Sequence, residues 1–148
     1  MVNKKSVWIF ITIILTVLAG CSDKQLVEHI YTFRGESENW VGEYKVNGTV
    51  TRSNEDGILR YRMYSNNILI LTYKGSIETI LEIDELSYSY QTSRSRSGGA
   101  GTLTNPTQKQ INHKSGGSGG IVREDEIIAV SIEIGGLTES FELTTTQE

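Results

Sequence analysis

Apolar and polar positions alternate with period two along most of this chain, the pattern of half-buried strands. Trp40, Gly42, Tyr44 and Val46 share one face, and Val41, Glu43 and Lys45 the other. A strand is also expected over 29–34, with Ile30, Tyr31 and Phe33 as packing candidates. Asn47-Gly48 offers the left-handed residues of a tight turn, so Val50 is expected to open a further short strand ending near Ser53-Asn54. Over 58–64, Leu59, Tyr61 and Met63 oppose Arg60 and Arg62, and Asn66-Asn67 reads as a second hairpin turn. Residues 68–73 are apolar on both faces, as in a central strand, and Lys74-Gly75-Ser76 breaks them. The stretch 77–83 is expected as a strand, with a helix over 77–86 as its rival, and 86–90 as one more strand.

The C-terminal pattern is the sharpest. Ile127–Ile134, Gly135-Gly136 and Leu137–Leu143 predict a hairpin with a two-residue turn. This register pairs Ile128 with Leu143, Val130 with Phe141, Ile132 with Glu139 and Ile134 with Leu137. Seven of the eight residues on that face are apolar. Glu139, the exception, is expected at the rim, on a partner such as an Arg, or as an inward charge guarding an edge. Residues 93–120 break the alternation with Ser-Arg-Ser-Arg-Ser, Pro106 and Ser-Gly-Gly-Ser-Gly-Gly. They are expected as a flexible Gly/Ser-rich loop, with Leu103 and Ile111 able to dock a short strand. About eight strands with turn signals predict an all-β fold, an antiparallel β-sandwich that is immunoglobulin-like in general architecture. The Cys–Trp–Cys pattern of true immunoglobulin domains is lacking.

The N-terminus follows a different rule. Lys4 and Lys5 precede an apolar run, Val7–Ala19, of 13 residues, broken only by Thr12 and Thr16. This is the size of a signal-peptide core and short for a spanning helix, which takes about 20. Leu18-Ala19-Gly20-Cys21 follows and resembles the lipobox of bacterial lipoproteins. The resemblance implies cleavage between Gly20 and Cys21 and diacylglyceryl attachment to the Cys21 thiol, with two acyl chains giving stable anchoring. A plain secretory signal or an uncleaved short anchor is the alternative. The organisation expected is a signal peptide over 1–20, a lipidated tether over 21–27 and the β domain over 28–148. Phe33-Arg34-Gly35-Glu36-Ser37-Glu38-Asn39-Trp40, then Tyr44, is similar to a segment of small lipoproteins of Bacillus-type bacteria that also end in a hairpin. Their usual Trp-Asn-Gly-Lys-like turn is replaced here by Ile134-Gly135-Gly136-Leu137. The resemblance implies a Gram-positive surface lipoprotein and carries no activity.

Charge and composition narrow the function. The chain of 148 residues holds 14 Lys and Arg, 18 Asp and Glu, two His and one Cys. Without Lys4 and Lys5 the balance is 12 against 18, net −6, which argues against nucleic acid and, on average, against anionic lipid. One Cys rules out an internal disulfide, and two His rule out a His-rich metal cluster. Glu36, Glu38, Asn39 and Trp40 form a possible ligand loop of oxygens beside a ring face; the same residues read as a polar turn before a core tryptophan. Glu124-Asp125-Glu126 and Glu82, Asp84 and Glu85 read as solvated turns. Arg94 and Arg96 suggest a weak anion site or a solubilising loop, and His29 and His113 are candidates to meet in space. Tyr88 and Tyr90 share a face with Leu86 and are expected in or beside the core. No nucleophile with a recognisable base is present, so no enzyme, metal or cofactor is expected. The expected function is that of a lipid-anchored, extracytoplasmic, non-catalytic binding or accessory module at the cell membrane. It would meet the membrane through Cys21, with an unidentified envelope protein as candidate partner; binding of a small solute, sugar or cation is the alternative.

Overall fold

The computed structural model describes residues 24–55, 57–82, 85–101, 107 and 109–145. The signal segment, the lipobox with Cys21, Asp84, Leu103 and Pro106 lie outside these residues.

Eight strands follow in chain order: β1 (Lys24–Glu36), β2 (Trp40–Glu55), β3 (Ile58–Tyr73), β4 (Leu86–Gln91), β5 (Arg96–Ala100), β6 (Gln110–Ser118), β7 (Ile128–Ile134) and β8 (Leu137–Thr145). One short helix, α1 (Ile77–Leu81), lies between β3 and β4. The fold is thus all-β and antiparallel, as the alternation predicts. The strands join in one order, β5-β4-β7-β8-β1-β2-β3-β6, and this sheet curls until it is nearly closed. Curling brings together residues far apart in that order. The rings of Tyr44 on β2 and Tyr90 on β4 stand 5.4 Å apart. The two edges, β5 and β6, face each other across a seam.

The interior is built by alternation. Trp40, Tyr44 and Val46 of β2 point inward, as do Phe33, Leu69, Leu71, Tyr90, Ile128, Val130, Ile132 and Leu143. Burying one such side chain stabilises the fold by about 1.5–3 kcal/mol. The predicted C-terminal register holds at all four pairs. Gly135 and Gly136, at φ +55° and +83°, supply the two left-handed positions of its turn.

Several expectations are corrected. Asn47-Gly48 and Asn66-Asn67 are not turns; they lie inside the 16-residue strands β2 and β3, paired as Asn47↔Asn66 and Val46↔Asn67. Gly48 is there because Ile121 packs on its Cα: a Cβ would lie 2.7 Å from that side chain. The β2–β3 hairpin closes instead beyond the Glu55↔Ile58 pair, with Gly57 at φ +78°. Ile30 points outward and is 68% exposed, while its neighbours Tyr31 and Phe33 face the core. Residues 24–27 belong to β1 rather than to a tether. The strand expected over 77–83 gives way to α1: Ser76 Oγ caps it by accepting from Thr79 N at 3.3 Å, and Ile80 is buried in the core. The segment expected as a flexible loop contributes both β5 and β6, with Ile111 buried in β6.

Three strands project beyond the rolled part. Among the described residues β8 pairs with β1 at Phe33 and Arg34, and β6 pairs with β3 from Tyr64 to Thr72. The first half of β1, the second half of β2 and residues 58–63 of β3 therefore form a three-stranded tongue, extending about 20 Å past the end of β6.

Candidate functional site

The seam between β5 and β6 is closed by side chains instead of a backbone ladder. His113 on β6 is its centre. Its Nδ1 lies 2.9 Å from the Tyr88 hydroxyl on β4, and its Nε2 lies 3.1 Å from Ser97 Oγ on β5. The Tyr88 and Tyr90 rings meet the imidazole edge-on at 5.8 and 5.4 Å. One residue pair along, Tyr90 donates to Ser115 Oγ at 3.1 Å. A line of rings thus runs from Phe33 through Tyr44 and Tyr90 to His113 and Tyr88.

Beside these contacts the seam opens into a cleft of about 590 Å³. Tyr44, Asn67 and Tyr90 line it from the barrel wall, Ser95 from the β4–β5 turn, Ser97 from β5, residues 115–118 from β6, and Gly119 and Gly120 from the chain after it. The buried Asn67 Oδ1 has no hydrogen-bond partner. A buried carbonyl left unpaired costs about 1–3 kcal/mol. Burial pushes the Tyr44 phenol up to about 12, aided by Tyr90 and partly offset by hydrogen bonding with Ser115 and Asn67. Burial likewise raises Tyr88. Both phenols are neutral at physiological pH.

Arg94 and Arg96 both line the cleft. Arg94 Nε donates to Ile121 O at 3.1 Å, so this guanidinium also fastens the β4–β5 turn to the chain after β6. The turn is wound around the buried Thr92, whose Oγ1 accepts from Arg94 N at 3.2 Å and Ser95 N at 3.1 Å. Glu126 adds a second tie, accepting from Arg123 N at 3.0 Å and Ser93 N at 3.2 Å. Burial alone would raise its pKa; these bonds and the Arg94 charge outweigh burial and lower it. Of the Glu124-Asp125-Glu126 run, Glu126 is thus a structural tie, while Asp125 pairs with Arg123 at the surface.

The loop 36–40 has a different use from the one its composition suggests. Trp40 is fully buried, 5.3 Å from the Tyr73 ring, and presents no face to a ligand. Asn39 and Ser37 are taken up by Glu139: Ser37 Oγ donates to Oε2 at 2.6 Å, Asn39 N to Oε2 at 3.2 Å and Asn39 Nδ2 to Oε1 at 2.6 Å. Glu36 pairs with Lys74 at 2.8 Å, and Lys74 Nζ also donates to Ser37 O at 2.7 Å. Glu38 is exposed. This settles what Glu139 meets on its mostly apolar face: the polar turn before Trp40, and no Arg. Partial burial raises Glu139, but the Ser37 and Asn39 bonds and the Lys74 charge outweigh it and lower its pKa.

His29 and His113 do not share a site; His29 Nδ1 lies 2.8 Å from the Tyr31 hydroxyl on β1. Among the described residues no group of three or more His, Cys, Asp or Glu is placed to hold a metal ion, and no helix is long and apolar enough to cross a membrane. The seam cleft was not visible in the sequence. Its residues come from five strands, and only the inward placement of Tyr90 hinted at it.

No protein-family model, curated protein or solved structure matches this chain.

Proposed function

We propose that this chain is a membrane-anchored, extracytoplasmic lipoprotein that acts as a non-catalytic binding module at the cell envelope, its seam cleft taking a small hydroxylated solute of the sugar class. The observation that carries the reading is the unpartnered Asn67 Oδ1 in a cleft lined by hydroxyls, two tyrosines, two arginines and glycine backbone. Such a lining offers alternating donors and acceptors to a polyol, with aromatic edges beside them. Arg94 and Arg96 on the same wall disfavour a cation and favour a neutral or acidic solute. The half-sheets on either side of the two-pair β8–β1 joint face one another as sandwich layers do, and the cleft lies at their open side. A protein partner added to a sheet edge is less well supported, because side chains of β4 and β5 already engage β6 across the seam. Membrane attachment rests on the Leu18-Ala19-Gly20-Cys21 lipobox.

Calorimetric titration with a panel of neutral and acidic sugars tests the cleft. At least one sugar should bind, and Asn67→Leu should weaken it by about tenfold, the loss of one good hydrogen bond to a buried acceptor. Absence of binding across the panel, or binding indifferent to Asn67→Leu, refutes the cleft. Cys21→Ala should abolish lipid labelling and release the protein from membranes; unchanged retention without lipid refutes the anchor.

A further inference from the structure

The charge of the domain is divided unevenly along the chain. Residues 86–123 hold five basic residues, Arg94, Arg96, Lys109, Lys114 and Arg123, and no acidic one. The rest of the net −6 domain then holds 7 basic residues against 18 acidic ones, or −11. Two of the five cations are committed elsewhere: Lys109 Nζ donates to Gly75 O at 2.7 Å, and Arg123 pairs with Asp125. The other three gather at the seam. Arg94 lies in the β4–β5 turn and lines the cleft. Arg96 on β5 and Lys114 on β6 each stand one residue from the Ser97–His113 contact, on the opposite, outer face of their strands, and both are exposed. Among the described residues none of the three is in an ion pair. No Asp or Glu lines the cleft. Cations grouped at one opening of an otherwise acidic domain give that opening a positive field that draws anions.

Arg94 is also held in place. Its Nε is fixed on Ile121 O at 3.1 Å. Its guanidinium lies against the Cα of Gly120, where a Cβ would strike Nη1 and Cζ, so a residue without a side chain is needed there. Among the described residues Nη1 and Nη2 make no hydrogen bond. Glu126 is close enough for the Arg94 charge to lower its pKa, but its two oxygens are taken by Arg123 N and Ser93 N. A guanidinium tied at Nε, with both terminal nitrogens open, is a fork that takes a carboxylate or phosphate group through paired, charge-assisted hydrogen bonds.

We propose that the solute of the seam cleft is an acidic sugar, its carboxylate or phosphate group seated on the Arg94 fork and its hydroxyls among the serines and Asn67, with Arg96 and Lys114 drawing it in by charge. The proposal rests on the sugar reading of the cleft and names the class of sugar.

The test is calorimetric titration of the full chain with matched probes: glucose, glucuronate and glucose 6-phosphate, and galactose with galacturonate. Inorganic phosphate and acetate serve as bare anions. At low salt an acidic sugar should bind about tenfold or more tighter than its neutral counterpart, and the gap should shrink as salt rises to about 0.5 M. The carboxylate and phosphate arms tell which group the fork takes. R94Q should bring the acidic sugar down to the affinity of the neutral one and leave the neutral one unchanged; R94K, which keeps the charge and loses the fork, should recover only part. Thermal melts accompany these variants, because Arg94 also ties Ile121. R96Q/K114Q removes charges without partners, so its melt should be unchanged while the salt dependence of the acidic sugar flattens. Equal affinity for acidic and neutral counterparts, indifferent to R94Q, overturns the proposal and leaves the sugar cleft standing. Phosphate or acetate bound as tightly as any acidic sugar overturns it in favour of a bare anion site. Absence of binding by every sugar, neutral or acidic, rejects the cleft itself and this proposal with it.

Discussion

Glu139 grips Asn39 twice: the Asn39 backbone N–H reaches Oε2 at 3.2 Å and its side-chain amide reaches Oε1 at 2.6 Å. One carboxylate on β8 thereby fixes the turn that feeds Trp40 into the core. The contact joins residues 100 positions apart in the chain, so it forms only when the rolled sheet is complete.

Glu139→Ala should lower stability by about 1–3 kcal/mol, the cost of charge-assisted bonds lost at a partly covered site. The pH dependence has a definite sign. The Glu139 pKa is lowered in the folded state, so its contribution is present above the ordinary carboxyl range and is lost as pH falls through the folded value. Urea denaturation of both proteins at pH 7 and at pH 3 checks this: the gap between them should narrow in acid.

His113→Ala removes both hydroxyl contacts and two ring contacts across the seam. A loss of about 2–3 kcal/mol is expected. Amide exchange should accelerate most in β5 and β6, with the β7–β8 hairpin little changed. Uniform acceleration across all strands would show that the seam is not a separate opening unit.

Gly48→Val places a branched side chain where Ile121 packs, and should cost about 1–3 kcal/mol through overpacking. A double variant, Gly48→Val with Ile121→Ala, should recover much of that loss. Thermal melts of the two variants decide whether Gly48 is a packing position or merely a replaceable strand residue.

Tyr44 should be the last phenol to titrate among those whose pKa is raised. With its folded pKa pushed up to about 12, its contribution is full below the ordinary tyrosine value and is lost as pH rises through about 12. Alkaline difference absorbance of wild type and Tyr44→Phe should show a late step in the first and none in the second.

The parts legible in the sequence are those where one face is buried and the other wet. Trp40–Val46 and the terminal hairpin obey that rule, and their inward residues and register follow from it. The misread parts are those where backbone proximity chose the residue. Gly98 and Gly116 sit where a Cβ would strike the carbonyls of Tyr88 and Ser65, so β5 and β6 are written in Gly and Ser and mimic a linker. Asn47-Gly48 carries a turn signature but answers to Ile121. Residues 77–81 gave an ambiguous period, and Ser76 capping decided for a helix. The seam cleft was illegible for a further reason. Asn67, Tyr90, Ser97 and Ser115 become neighbours only through curvature of the whole sheet, which no local pattern encodes.

The point of entry of the chain also sets how the domain answers to tension. A pull on whatever precedes Lys24 runs along the axis of β1 and is shared at once by the 13 residues it pairs with β2. Such a ladder is loaded in shear, every bond strained together, instead of being peeled one bond at a time. The force then passes to β3 through 16 further pairs, while toward β8 the described residues give it two. A stretched molecule would thus part first at the β8–β1 joint, leaving the three long strands intact as a cable.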